Sequence, residues 1–217
     1  MSALGRALPV AFFARHPTEV APDLLGCLLV VEAGGVRSSG RIVETEAYLG
    51  SDDPGSHAAT RGITARNAVM FGHPGVAYVY FAYGNHHMLN FVCGEAGVAG
   101  AVLIRALEPL EGIEVMTSRR KGRPMRELCN GPGKLTQALG IDLSDNVVAL
   151  GSGRLTVYDG ARPPIEAVGI SGRVGLSAGQ ELELRYFISG STFVSRGPSG
   201  SLRGPRIRTH RQERTKT

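Results

Sequence analysis

In the polar-and-apolar stretch RIVETEAY, residues 41–48, two glutamates and a tyrosine fall on every second position. As a strand, this segment projects Ile42, Glu44, Glu46 and Tyr48 from one face and Val43, Thr45 and Ala47 from the other. Ahead of it, HPTEVAPDLLG reads as a short helix with Gly26 just past its end. CLLVVE is an unbroken apolar run of strand length, and Gly34-Gly35 makes a hairpin turn into the alternating segment. Residues 50–62, GSDDPGSHAATRG, form a loop of turn formers. TARNAVMF predicts one or two helical turns capped by Thr64. GVAYVYFAYGNHHMLNFVC predicts two strands around a Gly84-Asn85 turn, with Tyr78 and Phe81 as core aromatics. GAVLIRALEP is a further strand. LEGIEVMTSRR is a helix with acids early and bases late, as its dipole prefers. GPGKLTQALGI is a helix begun by Pro132 and closed by Gly140. Short strands between Gly and Pro follow from residue 154. The pattern predicts one α+β domain over residues 1–195, a curved antiparallel sheet flanked by short helices.

Composition supports a strand-rich fold. Glycine supplies 30 of 217 residues, about twice the usual ~7%, and 42% of the chain is apolar. Tryptophan is absent, so a large flat platform has to be Tyr, Phe, His or Arg. The formal charge of +5 belongs to the end of the chain. Residues 196–217 hold seven Lys/Arg against Glu213 alone. They lack apolar periodicity and read as a basic, disordered tail suited to polyanions; a merely solubilising end is the other reading. Three widely spaced cysteines without a CxxC pair indicate neither a zinc knuckle nor a redox dithiol. They fit a reducing, cytoplasmic setting, with nucleoid association if the chain is bacterial. The run LLGCLLVV is too short to span a bilayer. GxGxxG, P-loop and HExxH patterns are missing, so no metal, nucleotide or other cofactor is expected.

Two features suggest chemistry. Glu44 and Glu46 sit roughly 7 Å apart beside Tyr48 on the alternating strand: a general base next to a stacking platform, or a solvated edge. Tyr83 directly precedes the Gly84-Asn85 turn, at the tip of a hairpin. A ring there is exposed, folds back on its own sheet, or docks as a wedge in a base stack. Three readings stand at this point: a nucleic-acid hydrolase, a nucleic-acid-binding module without catalysis, and a carbohydrate glycosidase using Glu44 and Glu46.

The pieces GRIVETEAY, RN..MF..PG.AYVY..YG...MLN, LIRALEPLEG and ELCNGPGKLTQALGI keep an order and spacing that resemble the alkyladenine (3-methyladenine) DNA glycosylases, from about residue 8 to 195. The resemblance implies a monofunctional enzyme that flips a damaged purine from duplex DNA and hydrolyses its N-glycosidic bond. Its substrates would be 3-methyladenine and possible neutral lesions such as hypoxanthine and ethenoadenine. It implies that Glu46 activates the water, with Arg105 and the Val174 backbone carbonyl beside it. Tyr48, His57 and Tyr80 would wall the base, Asn90 would reject normal guanine, and Tyr83 at a protruding hairpin would enter the DNA. Arg66 and Lys134 fall in DNA-facing motifs as phosphate contacts. Glu44 receives no catalytic role. The GNHH hairpin return departs from the family pattern, and residues 50–63 and 142–165 match weakly. The implied partner is double-stranded DNA, with no membrane, and the enzyme is expected to be a monomer.

Overall fold

A computed structural model of the chain describes residues 4–56, 62–82, 84, 86–179 and 181–197. His57 and Tyr83 lie outside the described residues, as does the tail from residue 198.

Among the described residues, eight strands form one antiparallel sheet: β1 (Leu28–Ala33), β2 (Val36–Tyr48), β3 (Ala77–Ala82), β4 (His86–Val92), β5 (Ala101–Glu111), β6 (Leu155–Tyr158), β7 (Val168–Ser171) and β8 (Arg185–Ile188). The order is β3-β4-β5-β2-β1-β6, with β8 on β2 and β7 on β8. Among the described residues, five short α-helices pack around it: α1 (Val10–Phe13), α2 (Pro17–Asp23), α3 (Ile113–Arg119), α4 (Met125–Leu128) and α5 (Pro132–Leu139). The sheet curls because β2 is long enough to serve three partners. One edge pairs with β5 over almost its whole length. The other edge pairs with β1 through Arg41 and then with β8 at Glu44–Glu46.

Gly34 and Gly35, both at positive φ, turn β1 into β2. Gly140 closes α5 in the left-handed region, where a side chain is strained. TARNAVMF is looser than expected. It forms a 3₁₀ turn at Ala68–Phe71, entered through Thr64, which caps as expected: its hydroxyl accepts from the Asn67 amide and the Asn67 side chain accepts from the Thr64 amide.

The alternation in RIVETEAY breaks at one place. Ile42 pairs with Leu107 and Glu44 with Ala106, so Val43 is an extra residue in β2; between Glu44 and Thr45 the partner then skips from Ala106 to Ile104, leaving Arg105 extra in β5. Bulges of this kind re-aim side chains. Ile42 therefore joins the main core with Leu107 and Ala47, on the face where the Thr45 hydroxyl bonds the Ala21 carbonyl of α2 at 2.8 Å. The expected row of four shrinks to Glu44, Glu46 and Tyr48. A second, smaller apolar cluster of Met70, Tyr78, Val92, Ala99 and Ala101 packs with Tyr48 and Tyr80. Tyr78 is core as expected, but Phe81 is 44% exposed. It lies at the outer end of β3, outside both clusters, where its ring sits tilted against that of His87 with centres 5.2 Å apart.

Candidate active site

A cavity of about 250 Å³ opens between β2, β3, β4, β5 and the segment after β7. Tyr48, Tyr80, Asn90, Arg105 and Val174 all line it, together with Met70, Met88 and Leu103. The volume lies near the lower end of small-molecule clefts, roughly 300–1,000 Å³, a size for one flat ring.

Glu46 lies directly behind this lining and is fully buried. Its Oε1 accepts from the Val174 amide at 2.8 Å and faces Arg105 Nη1 at 3.3 Å. Its Oε2 accepts from the Tyr48 hydroxyl at 2.9 Å. All three donors belong to residues on the cavity wall. An ionised carboxylate has about four acceptor positions, so these donors leave capacity for one more, such as a water. Burial pushes the Glu46 carboxyl above its usual range; Arg105, the Val174 amide and the Tyr48 hydroxyl pull it back only partly, and Glu44 pushes the same way as burial. The result is an acid that gives up its proton less readily than an exposed one, which suits a base working near neutrality. The Tyr48 hydroxyl is itself held well above its ordinary value, first by burial and then by Glu46, so it stays a donor.

Both tyrosines carry a guanidinium on one face. Arg173 sits 4.7 Å from the Tyr48 ring centre and Arg66 sits 4.7 Å from that of Tyr80. Neither arginine lines the cavity, so they back the rings. Arg173 is locked by a fully buried pair with Asp53, at 2.5 and 2.6 Å, and by the Ala47 carbonyl. Arg66 also donates to the Phe81 carbonyl at 2.7 Å, which ties it to the end of β3. Tyr78 lies against Tyr80 at 5.1 Å. Asn90 is held by a 3.2 Å bond from Nδ2 to the Tyr78 carbonyl.

Glu44 has a different environment from Glu46. It accepts from Arg105 Nε at 2.9 Å, Arg185 Nε at 2.7 Å, and the Ser195 amide and hydroxyl at 2.6 and 2.8 Å. Three of those bonds converge on Oε1 and one on Oε2, so two guanidiniums and Ser195 hold this carboxylate. The paired-carboxylate sugar hydrolase therefore lacks its second acid.

Of the residues expected from sequence, Glu46, Tyr48, Tyr80, Asn90, Arg105 and Val174 come together here. Lys134, on α5, bonds Asn130 at 2.8 Å beside Pro132, a lining residue. Sequence reasoning missed Arg173, Asp53, Arg185 and Ser195. Arg173 alone had a local signal, since it directly precedes Val174. Among the described residues, no group of three His, Cys, Asp or Glu could hold a metal ion, and no helix is long and apolar enough to cross a membrane.

A tyrosine-lined cavity with the buried Glu46 carboxylate behind its wall is an arrangement that suits a flat ring beside a group able to act as a base. The sequence profile of the methylpurine-DNA glycosylase family matches residues 11–192. A relative from Carboxydothermus hydrogenoformans is 47% identical over 190 residues, 87% of this chain and 98% of its own. Another from Rhodopseudomonas palustris is 49% identical, covering 89% and 92%, and one from Methanoculleus marisnigri is 48% identical, covering 87% and 98%. All three are provisionally named 3-methyladenine DNA glycosylases. The chain belongs to the methylpurine-DNA glycosylase family. It is a DNA repair enzyme that hydrolyses N-glycosyl bonds.

Proposed function

We propose that this glycosylase excises alkylated purines, 3-methyladenine first among them, after rotating the nucleotide out of duplex DNA, and leaves an intact strand with an abasic site. The observation that carries this is the arrangement behind the cavity wall: Glu46 held by Tyr48, Arg105 and Val174, each a wall residue.

Breaking an N-glycosidic bond develops positive charge on the sugar and requires a water on the far side from the departing base. Glu46 orients and deprotonates that water, for which general-base help is typically about 10²–10⁴-fold. Its negative charge also stabilises the sugar cation. The Val174 amide and the Tyr48 hydroxyl fix the carboxylate's orientation. Arg105, at the same oxygen, lies where it can also meet the phosphate of the flipped nucleotide. An alkylated purine is already cationic and leaves without much acid assistance. Neutral lesions such as hypoxanthine and ethenoadenine need a proton from elsewhere and are secondary substrates in this scheme.

The base rests between Tyr48 and Tyr80, with His57 closing the stack and Asn90 crowding the amino group of normal guanine. A base cannot be reached while stacked, and Tyr83 enters the helix to hold its place. Lys134 and Arg66 meet backbone phosphates. The Lys134 ammonium is held below its ordinary value by partial burial, then by Arg120 and, more weakly, by Arg196 and Arg123, against Glu127. An anionic strand would relieve that crowding.

The test is incubation with a duplex bearing one hypoxanthine or ethenoadenine, and with methylated duplex DNA. Free damaged base should appear, with strand breaks only after alkali. Direct strand cleavage, or binding with no base released, would contradict the proposal.

A further inference from the structure

Glu44 is as deeply buried as Glu46, yet two arginines and Ser195 hold it, where Glu46 is met by one arginine, the Val174 amide and the Tyr48 hydroxyl. Its bonds converge on one object. Arg105 presents Nε to Glu44 Oε1 at 2.9 Å and Nη2 to the Ser195 hydroxyl at 3.2 Å. Only Nη1 is left for Glu46, at 3.3 Å. Glu44 is in turn fixed from the far side by Arg185, whose Nη1 donates to the Ser171 hydroxyl at 2.9 Å and whose guanidinium lies 4.7 Å from the Phe187 ring centre. Ser195 lies just past residue 192, where the family profile ends. The last described segment thus returns across the sheet to complete the holder.

We propose that Glu44, with Ser195, is a positioning residue for base excision: together they clamp Arg105 so that Nη1 stays against Glu46 Oε1 behind the cavity wall. The inference rests on the reading of Glu46 as the hydrolytic group. It gives Glu44 an effect opposite in sign to the one its charge has alone. Directly, a negative Glu44 raises the proton affinity of Glu46. Through Arg105 it lowers that affinity, because it keeps the cation in place. The charged or titratable groups facing Glu46 are Glu44 and Tyr48 on β2 and Arg105 on β5, with Arg173 behind the Tyr48 ring; Arg185 on β8 lies opposite Glu46 in the sheet.

The two routes are separated by the pH profile of single-turnover excision on methylated duplex DNA, whose cationic purines need no proton to leave. Glu44→Gln should move the acid limb upward by about one pH unit, which is about tenfold in rate below the limb, while the rate recovers at alkaline pH. Ser195→Ala, which removes one hydroxyl, should move it the same way by a smaller amount. A limb that moves downward, as loss of a neighbouring negative charge alone requires, or one that does not move in folded Glu44→Gln, overturns the proposal. If Glu44→Gln fails to fold, Ser195→Ala decides by the same criterion. Glu46→Gln is the control. An acid limb that survives in that variant removes the reading of Glu46, and the clamp with it.

Discussion

Replacing Tyr48 with phenylalanine deletes one oxygen and keeps the ring. The lost group is the hydroxyl of a part-buried ring that donates to the fully buried Glu46 at Oε2, 2.9 Å away. Hydrogen bonds to charged groups contribute about 1.5–3 kcal/mol. Here that energy favours only the ionised carboxylate, so it corresponds to about 1–2 pKa units. Glu46 already titrates above its ordinary value because of burial, and the variant should push it further up. Single-turnover excision measured across pH 5–9 should show the acid limb displaced upward by about 1–2 units. At a pH below the limb this is about a 10–100-fold loss, closing as the pH rises. The stacking surface persists, because Arg173 still backs the ring at 4.7 Å. A loss equal at every pH would mean that the hydroxyl contacts the substrate rather than tuning Glu46, and would refute the reasoning. So would an unchanged profile.

Glu46→Gln should raise thermal stability at pH 8. A carboxyl whose folded pKa is raised binds protons more tightly in the fold than in the unfolded chain, so wild-type stability falls as pH rises through the folded value. The variant's advantage should shrink towards pH 4, and each kcal/mol reads as about 2–4 °C in Tm; an advantage that grows with acidity would contradict this sign. Asp53→Asn breaks the fully buried pair with Arg173 and should cost about 3–5 kcal/mol, a Tm loss of about 6–20 °C by thermal denaturation. An unchanged Tm would show that Arg173 finds another partner. Ending the chain at residue 197 removes six Lys/Arg. The salt dependence of DNA binding should flatten by up to about 5 in log–log slope, with excision retained; a dead enzyme would overturn the view of the tail as an accessory contact.

Much of the site was legible in the sequence because its residues lie on strands whose two-residue period aims side chains predictably. Glu46 and Tyr48 share a face for that reason; Tyr80 and Asn90 were indicated by the family resemblance, and the same period on β3 and β4 puts them on the cavity wall. Ile42 was misplaced because alternation counts residues and cannot see Val43 bulge out. Phe81 was misplaced because an aromatic in a strand looks the same whether its strand end is covered or bare. The Glu44 clamp was invisible for a different reason. Its partners Arg185 and Ser195 stand 141 and 151 residues away in the chain, and they meet Glu44 only where the sheet curls. Asp53 looked like a turn former in a glycine-rich loop, and nothing local tied it to Arg173, 120 residues on. The identities of Glu46 and Arg105 as neighbours came from the family resemblance; the physical reason, a bulge in each of two paired strands, came from the fold.

The central claim is that the Glu46 carboxylate does the hydrolysis while other groups hold the DNA. Single-turnover base release and equilibrium DNA binding, measured side by side for Glu46→Gln on the same lesion duplex, test it most directly. Excision should fall by about 10²–10⁴-fold with affinity within a fewfold of wild type. Excision at the wild-type rate, in a variant that still binds, would contradict the account.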